Sequence, residues 1–178
     1  MNPNSETPSA ALDPPQLSYS EVPPKTPKPG WLGRLAVFFG SIFLFLLACM
    51  FPALIFQRNG GDLEEWPGIW VILSGWMGLF FGQVAWYANL VMVLSLIFVL
   101  FHRWLTASVI AGVALALAAD SLLLFSKEIP ADEGGVNKLR LAQLGPGFYF
   151  WVAGMMVVVV GALILRRHYR ATASQSAG

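Results

Sequence analysis

IWVILSGWMGLFFGQVAWYANLVMVLSLIFVLF, residues 69–101, is a run of 33 residues without a single charge. How it is divided decides the fold. As one α-helix it would be about 50 Å long at about 1.5 Å per residue, against a bilayer core of about 30 Å. As two crossings it is too short, because each needs about 20 apolar residues. One crossing plus a surplus segment is the arrangement left, with the glycines Gly75, Gly78 and Gly82 marking where the chain can bend or pack closely. The sequence therefore places a span near 83–101, an elbow near Gly82, and an outer interfacial or re-entrant segment over 67–82.

The flanking sequence has the same character. The chain has 178 residues, of which 56% are hydrophobic and 12% charged, with a mean hydropathy of +0.62. Soluble domains carry about twice that share of charge. Further apolar blocks predict spans near 35–56, 105–125 and 147–165. Gly, Pro and charge mark QRNGGDLEEWPG and SKEIPADEGGVNKLRLAQLGP as loops, while His102 and Arg103 alone separate the second and third spans, as in a tight helical hairpin. The fold class expected is all-α: a four-span transmembrane helical bundle over 31–168. Residues 1–30 hold eight prolines and read as a disordered cytoplasmic tail, as do residues 169–178.

Charge sets the expected orientation. With four spans and the N-terminus inside, Lys25, Lys28, Arg34, Arg103, Arg166, Arg167 and Arg170 face the cytoplasm and Arg58, Lys127, Lys138 and Arg140 face out, seven against four. Splitting 69–101 into two spans gives six against five. The positive-inside rule prefers four spans with both termini cytoplasmic. Trp31 and Trp104 then mark the inner interface, and Trp66 and Trp70 the outer one.

Counting along each span gives the depth of its polar residues. Asn89 lies about 18 Å and Trp86 about 22 Å above the inner end of their span, Asp120 about 22 Å, Tyr149 about 24 Å and Trp151 about 21 Å above theirs. Gln83, Trp86, Tyr87, Asn89, Asp120, Tyr149 and Trp151 can thus share one outer-leaflet layer. Asp120 is the only acid embedded in a span, a position that marks either a protonation or head-group site or a hydrogen bond to Asn89, Tyr87 or Tyr149. Asn89 reads as a ligand amide or as packing glue, and the aromatics as a stacking surface or an interfacial belt. The stripe Ser108, Gly112, Ala116, Asp120 recurs every four residues and, with Gly78, Gly82, Gly154 and Gly161, predicts close helix packing.

Other chemistries lack their residues. Cys49 is the only cysteine, which excludes an intrachain disulfide or a CxxC redox pair. Leu46–Cys49 resembles a lipobox, but the long proline-rich lead and the apolar run beyond it argue for an ordinary leucine-rich helix. His102 and His168 stand alone, without metal-ligand spacing. There is no phosphate loop and no GxSxG. With a net charge of +1 there is no nucleic-acid footprint. No cofactor, metal or catalytic residue is expected. The partners expected are the lipid bilayer and other membrane helices, including a second copy of this chain.

AWYAN (85–89) and GFYFWVAG (147–154) resemble the WxAN and G[FY]xxW motifs of uncharacterised bacterial four-span inner-membrane proteins, over residues 36–165. Leu90 stands where that pattern has proline. The resemblance implies a bacterial inner membrane and carries no activity. Two functions follow: a non-enzymatic accessory or interaction protein (a subunit, assembly factor or immunity type), or a binder or transporter of a lipophilic small molecule through the outer-leaflet cluster.

Overall fold

The computed structural model describes residues 31–59, 61–130 and 137–175. It is mostly helical, with three helices long and apolar enough to cross a membrane: Trp31–Met50, Trp104–Phe125 and Pro146–Ala171. The expectation for residues 1–30 lies outside the described residues.

Helix α1 (Trp31–Met50) stops two residues short of Pro52, where the pre-proline residue is biased away from helical backbone. Residues 52–56, expected to finish the first span, instead begin strand β1 (Pro52–Arg58). Strand β2 (Leu63–Pro67) follows after a tight turn in which Arg58 N–H donates to Asp62 O at 3.0 Å. Both expected loops become strands, since the second supplies β3 (Glu128–Pro130) and β4 (Lys138–Leu144). Together they form one antiparallel sheet in the order β2-β1-β4-β3. The all-α expectation is corrected here. The physical reason is alternation: in KLRLAQL, Leu139 and Leu141 are buried while Lys138, Arg140 and Ala142 are exposed, the period-2 pattern of a half-buried strand.

The 33-residue run divides much as its length requires. Helix α2 (Gly68–Ser74) and a 3-10 segment (Gly75–Phe81) end at Gly82, whose φ of 67° is left-handed and suits glycine. A 3-10 turn (Ala85–Tyr87) then leads into α3 (Ala88–Leu100). The apolar helix Ala85–Leu100 is about 24 Å long at about 1.5 Å per residue, shorter than the other three. Helix α4 (Trp104–Ala119) continues as a 3-10 segment (Asp120–Phe125). Helix α5 (Pro146–Gln175) opens with proline at its first position, where the missing N–H costs nothing. It runs through residues 169–175, which were expected to be unstructured. The stretch RRHYRATASQ contains no helix breaker. Residues 176–178 lie outside the described residues.

Helix α5 packs against α1 and α4, and α3 against α4. One core runs through the helices, including Met92, Val99, Met155 and Val158. A second, beneath the sheet, joins Leu54, Phe56, Leu139 and Leu141 to Leu124. Many large apolar side chains on the helices point outward, such as Phe39, Phe43 and Leu46 on α1, a surface that suits lipid. Trp104, expected at an interface, is instead buried in the helical core, and Trp66 lies in β2 against Phe56.

The packed face of α4 differs from the expected stripe. Ala107, Ala111, Ala114 and Ala118 are 0–1% exposed, a heptad-spaced alanine seam. Ser108 reaches α5 through Oγ to Val159 O at 3.4 Å, but Ala116 is exposed, and a Cβ on Gly112 would meet nothing within 4 Å. One residue of offset turns a helix by about 100°, so the i+4 pattern chose the neighbouring face. Gly154 and Gly161 do admit close packing: a Cβ on Gly154 would come within 3.3 Å of Ser41 O, and one on Gly161 would collide with Val37. Gly78 lies against Gln83 of its own turn, not against another helix.

Ala111→Leu should therefore destabilise the protein by about 1–3 kcal/mol through overpacking, whereas Gly112→Leu should change stability by less than about 0.5 kcal/mol. Reversible unfolding in detergent micelles reads both. At the sheet edge, Lys138 Nζ lies 2.8 Å from Glu128 Oε2. That hydrogen bond, and then the lysine charge, hold the Glu128 carboxyl below its ordinary range. The pair's stabilisation is thus present above the ordinary carboxylate range and lost as pH falls through the lowered value. Lys138→Met should raise the Glu128 titration midpoint toward the ordinary value, as followed by carboxyl NMR.

Candidate functional site: a cavity between sheet and helices

The site grows from the elbow. Val84 N–H donates to Asp120 Oδ2 at 2.8 Å. Gln83, 8% exposed, donates its amide N–H to the same oxygen at 3.0 Å and accepts from Lys127 Nζ at 3.2 Å. Lys127 Nζ also donates to Gly82 O at 3.3 Å. The carboxylate at the end of α4 thus satisfies backbone and side chain where the chain turns. Its partners are Val84 and Gln83, not Asn89, Tyr87 or Tyr149.

A second set lies beside the first. Trp151 Nε1 donates to Asn89 Oδ1 at 2.8 Å, and Asn89 Nδ2 donates to Trp86 O at 3.0 Å. Trp86 Nε1 reaches across to Ile72 O at 2.8 Å, tying α2 to the start of α3. The indole lies so close to Gly75 that a Cβ there would come within 2.5 Å of Trp86 Cδ1. Asn89 therefore joins α3 to α5, and Trp86 holds the surplus segment down.

Between the helical core and the core under the sheet lies a cavity of about 630 Å³. The helix ends contribute Phe45, Trp86, Asn89, Phe148 and Trp151 to its wall, the sheet Leu54, Phe56, Trp66 and Leu139, and the surplus segment Val71, Ile72 and Met77. Among the described residues no charged side chain lines it. Its size and its lining, apolar with a few polar groups, are those of a small-molecule site.

Of the residues singled out by sequence, Gln83, Trp86, Asn89 and Trp151 line this cavity. Asp120 supports its rim without lining it. Tyr87 packs its ring against Trp86 at 5.5 Å, outside the lining. Tyr149 is 61% exposed and points away. Sequence reasoning missed the sheet residues and Ser121. The signal for the former was the alternation in 138–144 and the Asn-Gly pair at 59–60 between two apolar stretches. Among the described residues, no group of three or more His, Cys, Asp or Glu could hold a metal ion. Arg34 Nη1 lies 3.5 Å from His102 Nδ1, placing that histidine in a polar contact at the opposite end of the helices.

No family model matches the chain, and no curated protein or solved structure matches it.

Asp120→Leu should expose the Val84 amide, raising its hydrogen-exchange rate at least tenfold, while Asp120→Asn, which keeps a carbonyl acceptor, should retain most of the protection. A double-mutant cycle of Asn89→Leu with Trp151→Phe should return a coupling of about 0.6–1.7 kcal/mol, the range of hydrogen bonds between membrane helices.

Proposed function

We propose that this chain is a four-span protein of a bacterial inner membrane, with both ends cytoplasmic, and that its sheet-capped cavity binds a lipophilic small molecule. The observation that carries this reading is the cavity: about 630 Å³, walled by aromatic and aliphatic side chains from four helices and a sheet. Its position supports entry from the lipid phase. The surplus segment forms one wall, and its far side presents Trp76, Leu79 and Phe80, each more than half exposed, as a face suited to acyl chains.

The membrane arrangement rests on three long apolar helices and on Ala85–Leu100 as the fourth crossing. That helix is short for the bilayer core, and the elbow residues can complete its crossing or the bilayer can thin around it. Charge supports the orientation. Arg58, Lys127, Lys138 and Arg140 gather at the sheet end, while Arg34, Arg103, Arg166, Arg167 and Arg170 belong to the other, more basic end.

A second reading, a non-enzymatic accessory protein that binds other membrane helices or its own copy, is favoured by one observation. Gly112 and Ala116 leave a stretch of small residues on the outside of α4, where among the described residues nothing lies within 4 Å of a Cβ on Gly112 and Ala116 is exposed.

The test is mild solubilisation of tagged protein and mass spectrometry of what co-purifies, on wild type, Ala85→Phe and Gly112→Leu. Ala85 lines the cavity, so the phenylalanine occupies ligand space. A stoichiometric small molecule lost only in Ala85→Phe is the expected result. A stoichiometric membrane protein lost only in Gly112→Leu would replace the binding reading with the accessory one. A reporter fused after Gly178 should read as cytoplasmic.

A further inference from the structure

We infer that the cavity selects an uncharged lipophile carrying a ring or chain and one hydrogen-bonding oxygen, and that Ser121 is the residue that recognises the oxygen. The inference rests on the cavity-binding reading above and adds the ligand's chemistry to it.

The wall's polar side chains are almost all engaged by the protein itself. Trp66 Nε1 donates to Glu64 Oε1 at 2.9 Å, and Ser74 Oγ to Trp70 O at 2.6 Å. Trp86, Asn89 and Trp151 form the connected set described above, and Gln83 is held between Asp120 and Lys127. Ser121 is the exception. It is 5% exposed and lines the cavity, and its hydroxyl has no hydrogen-bond partner among the described residues. The hydroxyl oxygen is not sealed in the protein interior: it opens on the cavity, where an entering group can reach it. A helical serine ordinarily turns back onto the preceding turn, as Ser95 does to Met92 O and Ser126 to Leu123 O. Ser121 does not, so its donor is left to whatever enters the cavity.

The charge of that occupant follows from the rest of the wall. Among the described residues no Lys, Arg, His, Asp or Glu lines the cavity, and an ionised head group held by these residues alone would lack a counter-ion, at a cost that apolar contact does not recover. The flat walls of Trp86, Trp151 and Phe148 suit a ring or an extended chain. Together these features select a neutral ketone, quinone-type carbonyl, ester or alcohol on a hydrophobic body, and reject fatty acids and anionic phospholipid heads.

The experiment uses the full chain in detergent micelles and three probes that share one ring and one tail. Decanophenone offers a carbonyl oxygen, decylbenzene offers none, and 4-decylbenzenesulfonate carries a charge. Binding is read by titration calorimetry on wild type, Ser121→Ala and Ala85→Phe. Decanophenone should bind saturably at one site, about fivefold more tightly than decylbenzene, the worth of one hydrogen bond. Ser121→Ala should remove that preference and leave decylbenzene binding unchanged, and the sulfonate should not compete. Equal decanophenone affinity in wild type and Ser121→Ala would overturn the role of Ser121, and competition by the sulfonate would overturn the neutrality, with the cavity reading standing in both cases. Failure of all three probes to bind saturably, or binding undiminished in Ala85→Phe, would overturn the cavity reading and this inference with it.

Discussion

The carboxylate of Asp120 fixes the point on which the rest of the molecule is assembled. As one helix the 33-residue apolar run would be about 50 Å long, against a bilayer core of about 30 Å; here it turns at Gly82, and a turn frees backbone groups that need partners. Val84 N–H is such a group, and Asp120 Oδ2 accepts it at 2.8 Å. Gln83 and Lys127 complete the node. Once the chain turns there, residues 68–81 lie across Trp86, β1 and β2 stand over the helix ends, and a half-open cavity lies between the two cores. An acid inside an apolar segment, which sequence alone makes a candidate head-group site, gains a structural role from its position beside the left-handed Gly82.

The apolar stretches, the tight turn at His102–Arg103 and the break at Gly82 were legible because each follows from length and from the backbone freedom of glycine. The meeting of Asn89 and Trp151 at 2.8 Å is compatible with counting a fixed rise per residue along their two helices. The sheet was hidden for a different reason. Its strands lie in segments rich in Gly, Pro and charge, which read as loops, and β1 is buried from Ala53 to Phe56, so it shows no alternation and merges with the apolar run before it. Only β4 carried a clear period of two. The face of α4 was hidden because alanine is small enough to serve either as seam or as filler. Ser108, Gly112 and Ala116 form as regular a pattern as Ala107, Ala111, Ala114 and Ala118 do, and only the position of α5 distinguishes them. Tyr149 shows the limit of depth counting: the rise along a helix gives height but not direction, and this ring faces outward.

The sheet changes what the polar–aromatic layer can do. With helices alone, Gln83, Trp86, Asn89 and Trp151 would be interhelical glue at the edge of a bundle. Under a sheet whose lower face supplies Leu54, Phe56 and Leu139, the same residues become one side of a chamber. Asn89 and Trp86 then have a double task. Their hydrogen bonds to Trp151 and Ile72 hold three elements in place, and their remaining surfaces form the wall. Substituting either changes the shape of the cavity and the stability of the protein together, which makes Ser121 and Ala85, each outside that network, the cleaner probes of binding.

The size of the chamber bears on its occupancy. A cavity of about 630 Å³ lies within the range of small-molecule pockets and is far larger than a single water needs. Water is a poor tenant, because a buried water needs about three polar partners and all but one of the polar side chains in the wall are already paired. The surroundings that best match the wall are hydrocarbon, reached past the apolar segment 68–81. A lipid tail satisfies the apolar lining but leaves the Ser121 hydroxyl without a partner. A ligand that brings an oxygen to that hydroxyl satisfies both, and that difference separates a selective site from a cavity that lipid merely fills.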